Sequence, residues 1–391
     1  MMKPNKHIYL DHSATTPVDA EVIAAMSHAM SEGWGNPSST HADGRNAKFL
    51  IEEARERVAG LMNSSPDEIH FTSGGTEADN WALIGIAHSL KDKGNHIITA
   101  ETEHPAILDS CKVLEKEGFK ITYLFTDRNG SIHPHDLEAE ITPETILISL
   151  MHSNNEIGTI NLIHKFAGIA KEAGVLIHTD IVQSYGKVPI DLKELDVDLA
   201  SVSSHKIYGP KGIGALYVRS GVGIDQIMFV GHQERDRRGG TENVPGIVGF
   251  GKAAALRAER LESDSLSVKN MSKNLFELLS EKVGGVSLNG HPTHRIPGHL
   301  SLTFERIDGE ALLMNLDTQG ISASAGAACS SGAVKISSVL KAIGLNDEEA
   351  IGTVRITFGR ENNEEDVELV VQAIKEQVIR LRKTTPQIAA Q

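Results

Sequence analysis

The sequence predicts an α/β protein with a mostly parallel central sheet in a large domain, joined to a smaller α+β domain. Short apolar runs alternate with segments of helical periodicity through the first two thirds of the chain. This alternation is typical of parallel strands covered by helices on both faces. The chain has 391 residues, which is long for one domain, and its hydrophobic fraction of 40% suffices for a large core. We expect a large domain over 15–255 and a small domain built from 1–14 and 256–391.

The helices are predicted from apolar periodicity and from the residues at their ends. Segment 46–62 has apolar residues at helical spacing. These residues are Phe49, Leu50, Ala54, Val58 and Leu61. A helix over 76–94 should end at its glycine, and the helix in "PAILDSCKVLEKEG" should begin at its proline. Beyond 252 we predict a long charged helix (252–283), a helix near "DGEALLMNLDTQG" and a final helix over 364–383.

The strands are predicted from short apolar runs. In the large domain they are "HIITA", "KITYLF", "ILISL", "VLIHTD", "DLASVSS" and "GALYV", and in the small domain "HLSLTF" and "VRITFG". Ligands of open α/β sheets bind beyond the carboxyl ends of parallel strands. Residues directly after these runs are therefore the first candidates for a functional site.

Composition and charge disfavour several classes of protein. A formal net charge of −14 argues against broad nucleic-acid binding, which needs clustered Lys and Arg. The start "MMKPNKHIYLDHSATTP" lacks the apolar region of a secretory signal, and no apolar stretch is long enough to span a bilayer. The two cysteines, Cys111 and Cys329, are too few for a disulfide framework. We therefore expect a reducing compartment, with the cytoplasm as the default.

A glycine-rich turn is a candidate anion site. The stretch "FTSGGTEADN" (71–80) follows a short strand and opens a helix. Gly75 and Thr76 would there offer backbone N–H groups and a hydroxyl at a helix N-terminus. The alternative is an ordinary turn with Thr76 as the N-cap. The stretch matches neither a Walker loop nor a G-x-G-x-x-G fingerprint, which disfavours a dinucleotide and hence a dehydrogenase.

The stretch "ASVSSHKIYGPKGIGALYV" (200–218) carries the most specific signal. A predicted strand ends there in Ser-Ser-His-Lys, ahead of a glycine-rich turn. Ser203 and His205 would contact a phosphate, and burial near another cation would make Lys206 nucleophilic. The alternative is a solvated loop lysine, and the neighbouring phosphate-type donors argue against it.

Polar side chains recur where successive predicted strands end. A carboxylate such as Asp180 in this position can hold a proton on the nitrogen of a heterocycle. Each residue taken alone could equally be a helix cap or have a structural role. Six such residues at successive strand ends are more simply explained by one shared site than by six separate caps. The six residues are Thr76, His104, Asn155, Asp180, Gln183 and Lys206.

Arg355 is a candidate for binding a carboxylate. It lies inside the apolar stretch "VRITFGR". A buried arginine needs a partner, and either a substrate carboxylate or a structural salt bridge would serve. The histidines form neither H-E-x-x-H nor a spaced Cys/His set, which argues against a zinc site.

The anion cradle, the strand-end aspartate and the lysine after Ser-x-His together indicate pyridoxal 5'-phosphate (PLP). With these motifs the sequence resembles the cysteine desulfurases, in the class V aminotransferase branch of the fold type I PLP enzymes. The matching stretches are "YLDHSATTP", "GNPSSTHADGR", "FTSGGTEADN", "ETEHPAI", "NNEIG", "HTDIVQSYGK", "SSHKIYGPKGIG", "RRGGTENV", "SAGAACSSG" and "VRITFGR". They follow the family's order from residue 9 to 360. The loop around Cys329 is similar to that of the group-I (NifS/IscS-like) branch, and the group-II motif Arg-x-Gly-His-His-Cys is absent.

By position, the resemblance implies a role for each candidate. Lys206 would form the Schiff base with PLP and move the substrate proton, His104 would stack on the ring, and Asp180 would pair with the ring nitrogen. Arg355 would hold the α-carboxylate of L-cysteine, and Cys329 would take its sulfur as a persulfide and release L-alanine. Ring-hydroxyl and substrate contacts are implied for Gln183 and Asn155, and phosphate contacts for Gly75, Thr76, Ser203, His205 and Thr241.

The resemblance also implies partners. Thr241 would reach the phosphate of the other subunit's cofactor, which implies a homodimer. The sulfur acceptors would be iron–sulfur scaffold proteins or tRNA-thiolation relays, with no direct contact to nucleic acid or membrane. A further hypothesis is that Cys329 helps to hold a transient Fe–S cluster with a partner. Some positions depart from the residues common in the family without removing a catalytic group. They are His12, Ala327, Ser330, Lys335 and Ile336.

Two alternative functions stay open at this point. One is a selenocysteine lyase or another PLP-dependent C–S lyase, against which Cys329 favours persulfide transfer. The other is a non-catalytic assembly partner that kept the fold without the cofactor. The intact set of Lys206, Asp180 and His104 argues against it.

Overall fold

A computed structural model describes residues 6–229, 231–325 and 336–384, and Cys329 lies outside the described residues. The helices are α1 (Ala20–Glu32), α2 (Ala42–Gly60), α3 (Gly75–Leu90), α4 (Pro105–Lys116), α5 (Pro134–Glu140), α6 (Ile163–Ala173), α7 (Leu192–Leu195), α8 (Gln233–Asp236), α9 (Val244–Lys282), α10 (Gly309–Asp317), α11 (Ser338–Ala342), α12 (Asp347–Ile351) and α13 (Glu364–Thr384). The strands are β1 (Ile8–Tyr9), β2 (Ile69–Thr72), β3 (His96–Ala100), β4 (Lys120–Leu124), β5 (Thr145–Ser149), β6 (Leu176–Asp180), β7 (Leu199–Ser203), β8 (Gly214–Val218), β9 (Val286–Leu288), β10 (His299–Phe304), β11 (Ile321–Ser322), β12 (Ser324–Ala325) and β13 (Thr353–Thr357).

The larger sheet confirms the predicted α/β class. Its described strands have the order β2-β8-β7-β6-β5-β3-β4. Strands β3 to β7 pair in parallel, whereas β8 is antiparallel to its neighbours β2 and β7. The carboxyl ends of β2, β3, β5, β6 and β7 therefore meet at one edge, where the polar residues that follow them come together.

Burial on both faces explains why these strands are continuously apolar. All residues of β3, β5 and β7 are buried. Successive side chains point to opposite faces. Ile97 thus joins the cluster under α3 and α4 that contains Trp81, whereas Ile98 joins the cluster on the other face that contains Phe166 and Phe250.

The smaller sheet has its own core. Strands β12-β13-β10-β9 form an antiparallel sheet, and β1 pairs in parallel with β11. Helix α9 reaches both cores, with Phe250 and Leu256 in the first and Met271 and Leu275 in the second. The predicted domain boundary at 255 falls within this helix and stays a prediction. No described helix is long and apolar enough to cross a membrane.

Two details of the predicted helices are wrong. The helix predicted to end at Gly94 ends at Leu90, and a turn follows it. Phe49 was expected on the apolar face of α2, yet 65% of it is exposed. The buried stripe of α2 includes Ala47 and Ile51. Phe49 is two positions from each of them, which places it on the opposite side of the helix.

Candidate active site

One cavity of about 290 Å³ brings together most of the predicted site residues at the carboxyl ends of the parallel strands. These are Gly75, Thr76, His104, Asn155, Asp180, Gln183, Ser203, His205, Lys206 and Arg355. The strand-end polar residues thus line one cavity, and their functional roles stay predictions. Thr241 and Cys329 do not belong to this set, Thr241 because it lies elsewhere and Cys329 because it lies outside the described residues.

Lys206 is held at the centre of the cavity by two carbonyl groups. It ends the short turn that follows β7. Its Nζ donates to the carbonyl oxygens of Ser13 and Ala14, each at 2.7 Å. Burial and the positive charge of Arg355 lower the pKa of Lys206 from 10.5 to about 8. About a tenth of this amine is therefore neutral, and hence nucleophilic, at pH 7, far more than for an ordinary lysine.

Asp180 ends β6 and is a buried carboxylate facing the same space. Its Oδ1 accepts a hydrogen bond of 2.8 Å from the backbone N–H of Val182. Burial raises its pKa, while His104 and Lys206 counteract that rise. A cation or a protonated ring nitrogen in the cavity would stabilise the charged form of this carboxylate.

Gln183 is fixed at both ends of its amide. Its Nε2 donates to the carbonyl oxygen of Ser13 at 2.9 Å, and its Oε1 accepts from Lys187 Nζ at 3.0 Å. The second hydrogen on Nε2 is left for a ligand. The amide is thus oriented before any ligand binds.

His104 is the N-cap of α4. Its Nδ1 accepts a hydrogen bond of 3.1 Å from the backbone N–H of Ala106. Since Nδ1 is an acceptor, the proton of the neutral ring is on Nε2. Burial is the main cause that lowers the pKa of His104, and Lys206 contributes. The ring therefore offers a neutral face and an Nε2–H donor.

The N-terminus of α3 forms the anion cradle. The N-cap is Gly74, and it makes no side-chain cap, so the alternative of Thr76 as the N-cap is wrong. A Cβ on Gly75 would lie 2.8 Å from Val182 Cγ2, which explains glycine at this position. The first N–H groups of α3 are thus left for a ligand, with Ser203 next to Gly75 on the wall of the same cavity.

His205 lies beside this cradle and is uncharged. Its Nδ1 is 3.1 Å from the Thr15 hydroxyl. Burial and the charge of Lys206 lower the pKa of His205 to about 4. It can therefore give an anion one N–H bond but no positive charge.

Arg355 makes the structural salt bridge that was one of the two roles weighed from the sequence, and its binding of a substrate carboxylate stays a prediction. Its Nη2 forms an ion pair of 2.9 Å with Asp11 Oδ1, and its Nη1 donates to the carbonyl oxygen of Asn155 at 3.0 Å. Its buried Nε has no hydrogen-bond partner among the described residues. The guanidinium is therefore fixed by protein groups and keeps one N–H for a ligand.

Thr241 and Lys206 of the same chain line different cavities. It is exposed and lines a separate cavity of about 200 Å³ together with Ser73 and Arg238. Its predicted contact with a phosphate would need the site of a second subunit. That role stays a prediction.

A wider cavity of about 900 Å³ adjoins the site and shares His104, Asn155 and Arg355 with it. Ala325 and Ile336 both line it. They are the described residues on either side of 326–335, the range that contains Cys329. This second cavity is the wider approach to Lys206.

Sequence reasoning missed four residues that build the site. Ser13 and Ala14 orient Lys206, and Asp11 orients Arg355. The stretch "YLDHSATTP" contains all three but carries no recognisable chemistry of its own. Asp79 on α3 lines the same cavity as Lys206.

Comparisons with known proteins identify the family of this chain. The family model for class-V aminotransferases matches residues 8–370, so the chain belongs to that family. Within it, the chain is a member of the cysteine desulfurases. It is 48% identical over 382 residues to a cysteine desulfurase IscS of Methanosarcina thermophila, covering 98% of this chain and 94% of the relative. The cysteine desulfurase IscS of Dictyoglomus turgidum is 44% identical over 381 residues, which is 97% of each chain. A solved NifS-like protein superposes with a TM-score of 0.90 at 37% identity, covering 96% of this chain and all of the other.

Proposed function

We propose that this protein uses PLP to take the sulfur of L-cysteine and pass it on as a persulfide of Cys329. The observation that carries the proposal is the single cavity around Lys206. It joins a nucleophilic amine, a buried carboxylate, an open helix N-terminus and an arginine with a free Nε–H. Each of these groups matches one part of PLP or of its amino-acid substrate.

The described residues fit PLP. The N-terminus of α3, Ser203 and the neutral His205 would bind its phosphate, and the missing side chain of Gly75 lets Val182 pack close to this N-terminus. Asp180 would pair with the ring nitrogen, and His104 would face the ring. When bound, PLP supplies the electron sink for breaking the Cα–H bond of an amino acid.

Each protein group has a defined task in the reaction. Arg355 binds the substrate carboxylate through Nε, and Lys206 takes the Cα proton. The thiolate of Cys329 attacks the substrate sulfur, so that an S–S bond forms as the C–S bond breaks. L-cysteine and the Cys329 thiol thus become L-alanine and a Cys329 persulfide, and no external oxidant is needed.

Burial supports Cys329 rather than Cys111 as the sulfur carrier. The chain has only these two cysteines. Cys111 is 0% exposed within α4, and burial is the main cause that raises its thiol pKa to about 12. A thiol needs to ionise and reach the substrate in order to act as a nucleophile. Cys111 does neither.

Chain connectivity is consistent with this assignment. Cys329 is four residues beyond Ala325, which lines the wide cavity. An extended chain advances at most about 3.6 Å per residue, so a segment of four residues spans at most about 14 Å. This supports a thiol that reaches the site through the wider approach.

The remaining parts of the proposal concern partners and location. Thr241 would complete the phosphate site of a second subunit, which makes the active form a homodimer. The persulfide would pass to an iron–sulfur scaffold protein or to a tRNA-thiolation relay. We place this transfer in the cytoplasm. In the same setting Cys329 would help to hold a transient Fe–S cluster.

The proposed function is tested by a single turnover with L-cysteine. Alanine and a persulfide on Cys329 should form in equal amounts, as read by amino-acid analysis and mass spectrometry of the intact peptide. Pyruvate and ammonia formed together with free sulfide, and no modification of Cys329, would favour a C–S lyase instead. Turnover of selenocysteine alone would favour a selenocysteine lyase.

The rate of covalent PLP binding to the cofactor-free protein should rise with pH through a midpoint near pH 8 and level off about one pH unit above it. Below the midpoint Lys206 is mostly protonated and unreactive, because its pKa is lowered only to about 8. Stopped-flow absorbance at a series of pH values measures the rate. Arg355→Gln removes a charge that lowers this pKa, so the plateau should move to higher pH. A wild-type midpoint near 10.5, the ordinary lysine value, would contradict the expectation.

Arg355→Gln should lower kcat/KM for L-cysteine by about 10- to 100-fold, mainly through KM. A charge-assisted hydrogen bond to the substrate carboxylate contributes about this much. Steady-state kinetics measure the change. Asp11→Asn is the matched variant, because it weakens the orientation of the guanidinium and should cost less. An unchanged KM in Arg355→Gln would leave the arginine with only a structural role.

A further inference from the structure

The floor of the cavity contains more carboxyl groups than the proposed reaction uses. Asp79 on α3 is 1% exposed and lines the cavity together with Asp180. Glu103, which follows β3, is 2% exposed. Three ionised carboxylates at this depth would repel one another and lose their hydration. At least one of these carboxyl groups must therefore be protonated. The hydrogen bonds and charges around each group determine which one it is.

Asp180 is the carboxyl group best stabilised as an anion. The backbone N–H of Val182 donates to it, and Lys206 lowers its pKa. Glu103 has one such donor, since its Oε1 accepts from the N–H of Met151 at 2.7 Å, while its Oε2 has no partner among the described residues. Of the three carboxyl groups, Asp180 is therefore the one that we expect to be ionised.

Asp79 lacks comparable stabilisation. Its buried Oδ1 has no hydrogen-bond partner among the described residues, and it lies 3.8 Å from His178 Nε2. His178 is 0% exposed, and burial lowers its pKa to about 3, so it is neutral and gives no counter-charge. Its two nitrogens meet the hydroxyls of Ser149 at 2.9 Å and Ser201 at 3.0 Å. An ionised Asp79 would thus be a buried charge without a cation.

We propose that Asp79 is a positioning residue that holds a proton beside Asp180, so that Asp180 alone presents a negative charge to the ring nitrogen. The inference rests on the proposed function, because it concerns the same PLP site. Burial and the charge of Asp180 both raise the pKa of Asp79 well above its ordinary value, and Ser201 only partly opposes them. A second anion at Asp79 would instead drive Asp180 to take up a proton.

Titratable groups face Asp79 and Asp180 from several packed elements, and the pH behaviour of the site involves all of them. They are His178 on β6, Glu103 and His104 after β3, and Lys206 after β7. Of these, Lys206 alone brings a positive charge. Lys206 lowers the pKa of Asp180, whereas the charges that act on Asp79 are those of Asp180 and Glu103.

Infrared spectroscopy of the full-length protein tests the proton directly, with or without PLP. Wild type at neutral pH should show the C=O band of a protonated carboxylic acid, and Asp79→Asn should lose part of it. Asp109→Asn is the control, because Asp109 is an exposed carboxylate at the mouth of the site and its removal should change no acid band. An acid band unchanged in Asp79→Asn would overturn the proposal.

The pH titration of the visible band of bound PLP gives the second readout. Asparagine is neutral and keeps an N–H donor, so Asp79→Asn should leave this titration where it is in wild type. If Asp79 were an anion, its removal would shift the titration by about 1 to 3 pH units, which would overturn the proposal. Asp79→Ala, which removes the donor, should shift the titration, and rescue by asparagine but not alanine is the expected pattern.

The two proposals fail in different ways. A protein with no visible band in any variant would contradict PLP binding, while its infrared spectrum would still report the proton on Asp79. A normal band with a shifted titration in Asp79→Asn would leave the desulfurase reaction intact and reject the role of Asp79. The comparison of wild type with asparagine suffices even if the alanine variant does not fold.

Discussion

Lys206→Ala should lower desulfurase activity by about 10⁴-fold and leave the purified protein colourless. One positioned acid–base group contributes up to about 10⁴-fold, and this amine also forms the covalent bond to the cofactor. The carbonyl oxygens of Ser13 and Ala14 fix the Nζ of Lys206, each at 2.7 Å. Among the described residues, Lys206 is the lysine that lines this cavity. Visible absorbance measures the loss of colour, and alanine release from L-cysteine measures the activity.

The informative controls are two other lysines. Lys211 is exposed in the following turn, so Lys211→Ala should keep both colour and activity. Lys187 is the alternative lysine to which the cofactor could be attached. Its Nζ lies 3.0 Å from Oε1 of Gln183, which lines the cavity. Borohydride reduction followed by peptide mapping should place the cofactor on Lys206. A coloured and active Lys206→Ala protein would refute the assignment.

The sequence predicted most of this site because parallel strands impose a simple geometry. Once strands alternate with helices, their carboxyl ends share one edge, and the residues after each strand become neighbours. His104, Asp180 and Lys206 are therefore brought together from positions far apart in the chain. The separation of the two sheets followed from the change in composition after about residue 252.

The residues that the sequence did not reveal act through the backbone or through burial. Ser13 and Ala14 serve Lys206 with carbonyl oxygens, and any residue type offers a carbonyl. Asp79 has the pattern of an ordinary polar residue in a helix, and only packing shows that 1% of it is exposed. Tertiary contacts, which periodicity does not encode, determine both roles.

Arg355 shows why sequence reasoning left two alternatives. An arginine in an apolar strand requires a partner, but the pattern does not say whether that partner is a ligand or a protein carboxylate. The structure provides Asp11 for one edge of the guanidinium and leaves Nε unpaired. Five donors in a fixed plane allow both roles at once.

Cys329→Ser should abolish persulfide formation and lower alanine release from L-cysteine by about 10²-fold or more. A serine hydroxyl is too weak an acid to attack sulfur at neutral pH. PLP should still bind, because its proposed contacts lie on Lys206, Asp180 and the N-terminus of α3. Mass spectrometry after incubation with L-cysteine measures the persulfide, and the visible band confirms that the cofactor site is intact.

Cys111→Ala is the matched control, since it removes the other cysteine of the chain. It should keep persulfide formation and cost only about 1 kcal/mol in the free energy of unfolding, because a small buried side chain is truncated. The pair of variants separates the proposed nucleophile from a buried thiol of the same residue type. If sulfur instead accumulated on Cys111, or Cys329→Ser released alanine at the wild-type rate, the sulfur carrier would have to be sought elsewhere. The contrast follows from ionisation: a thiol whose pKa is raised to about 12 is almost wholly protonated at neutral pH, so it cannot compete for the substrate sulfur.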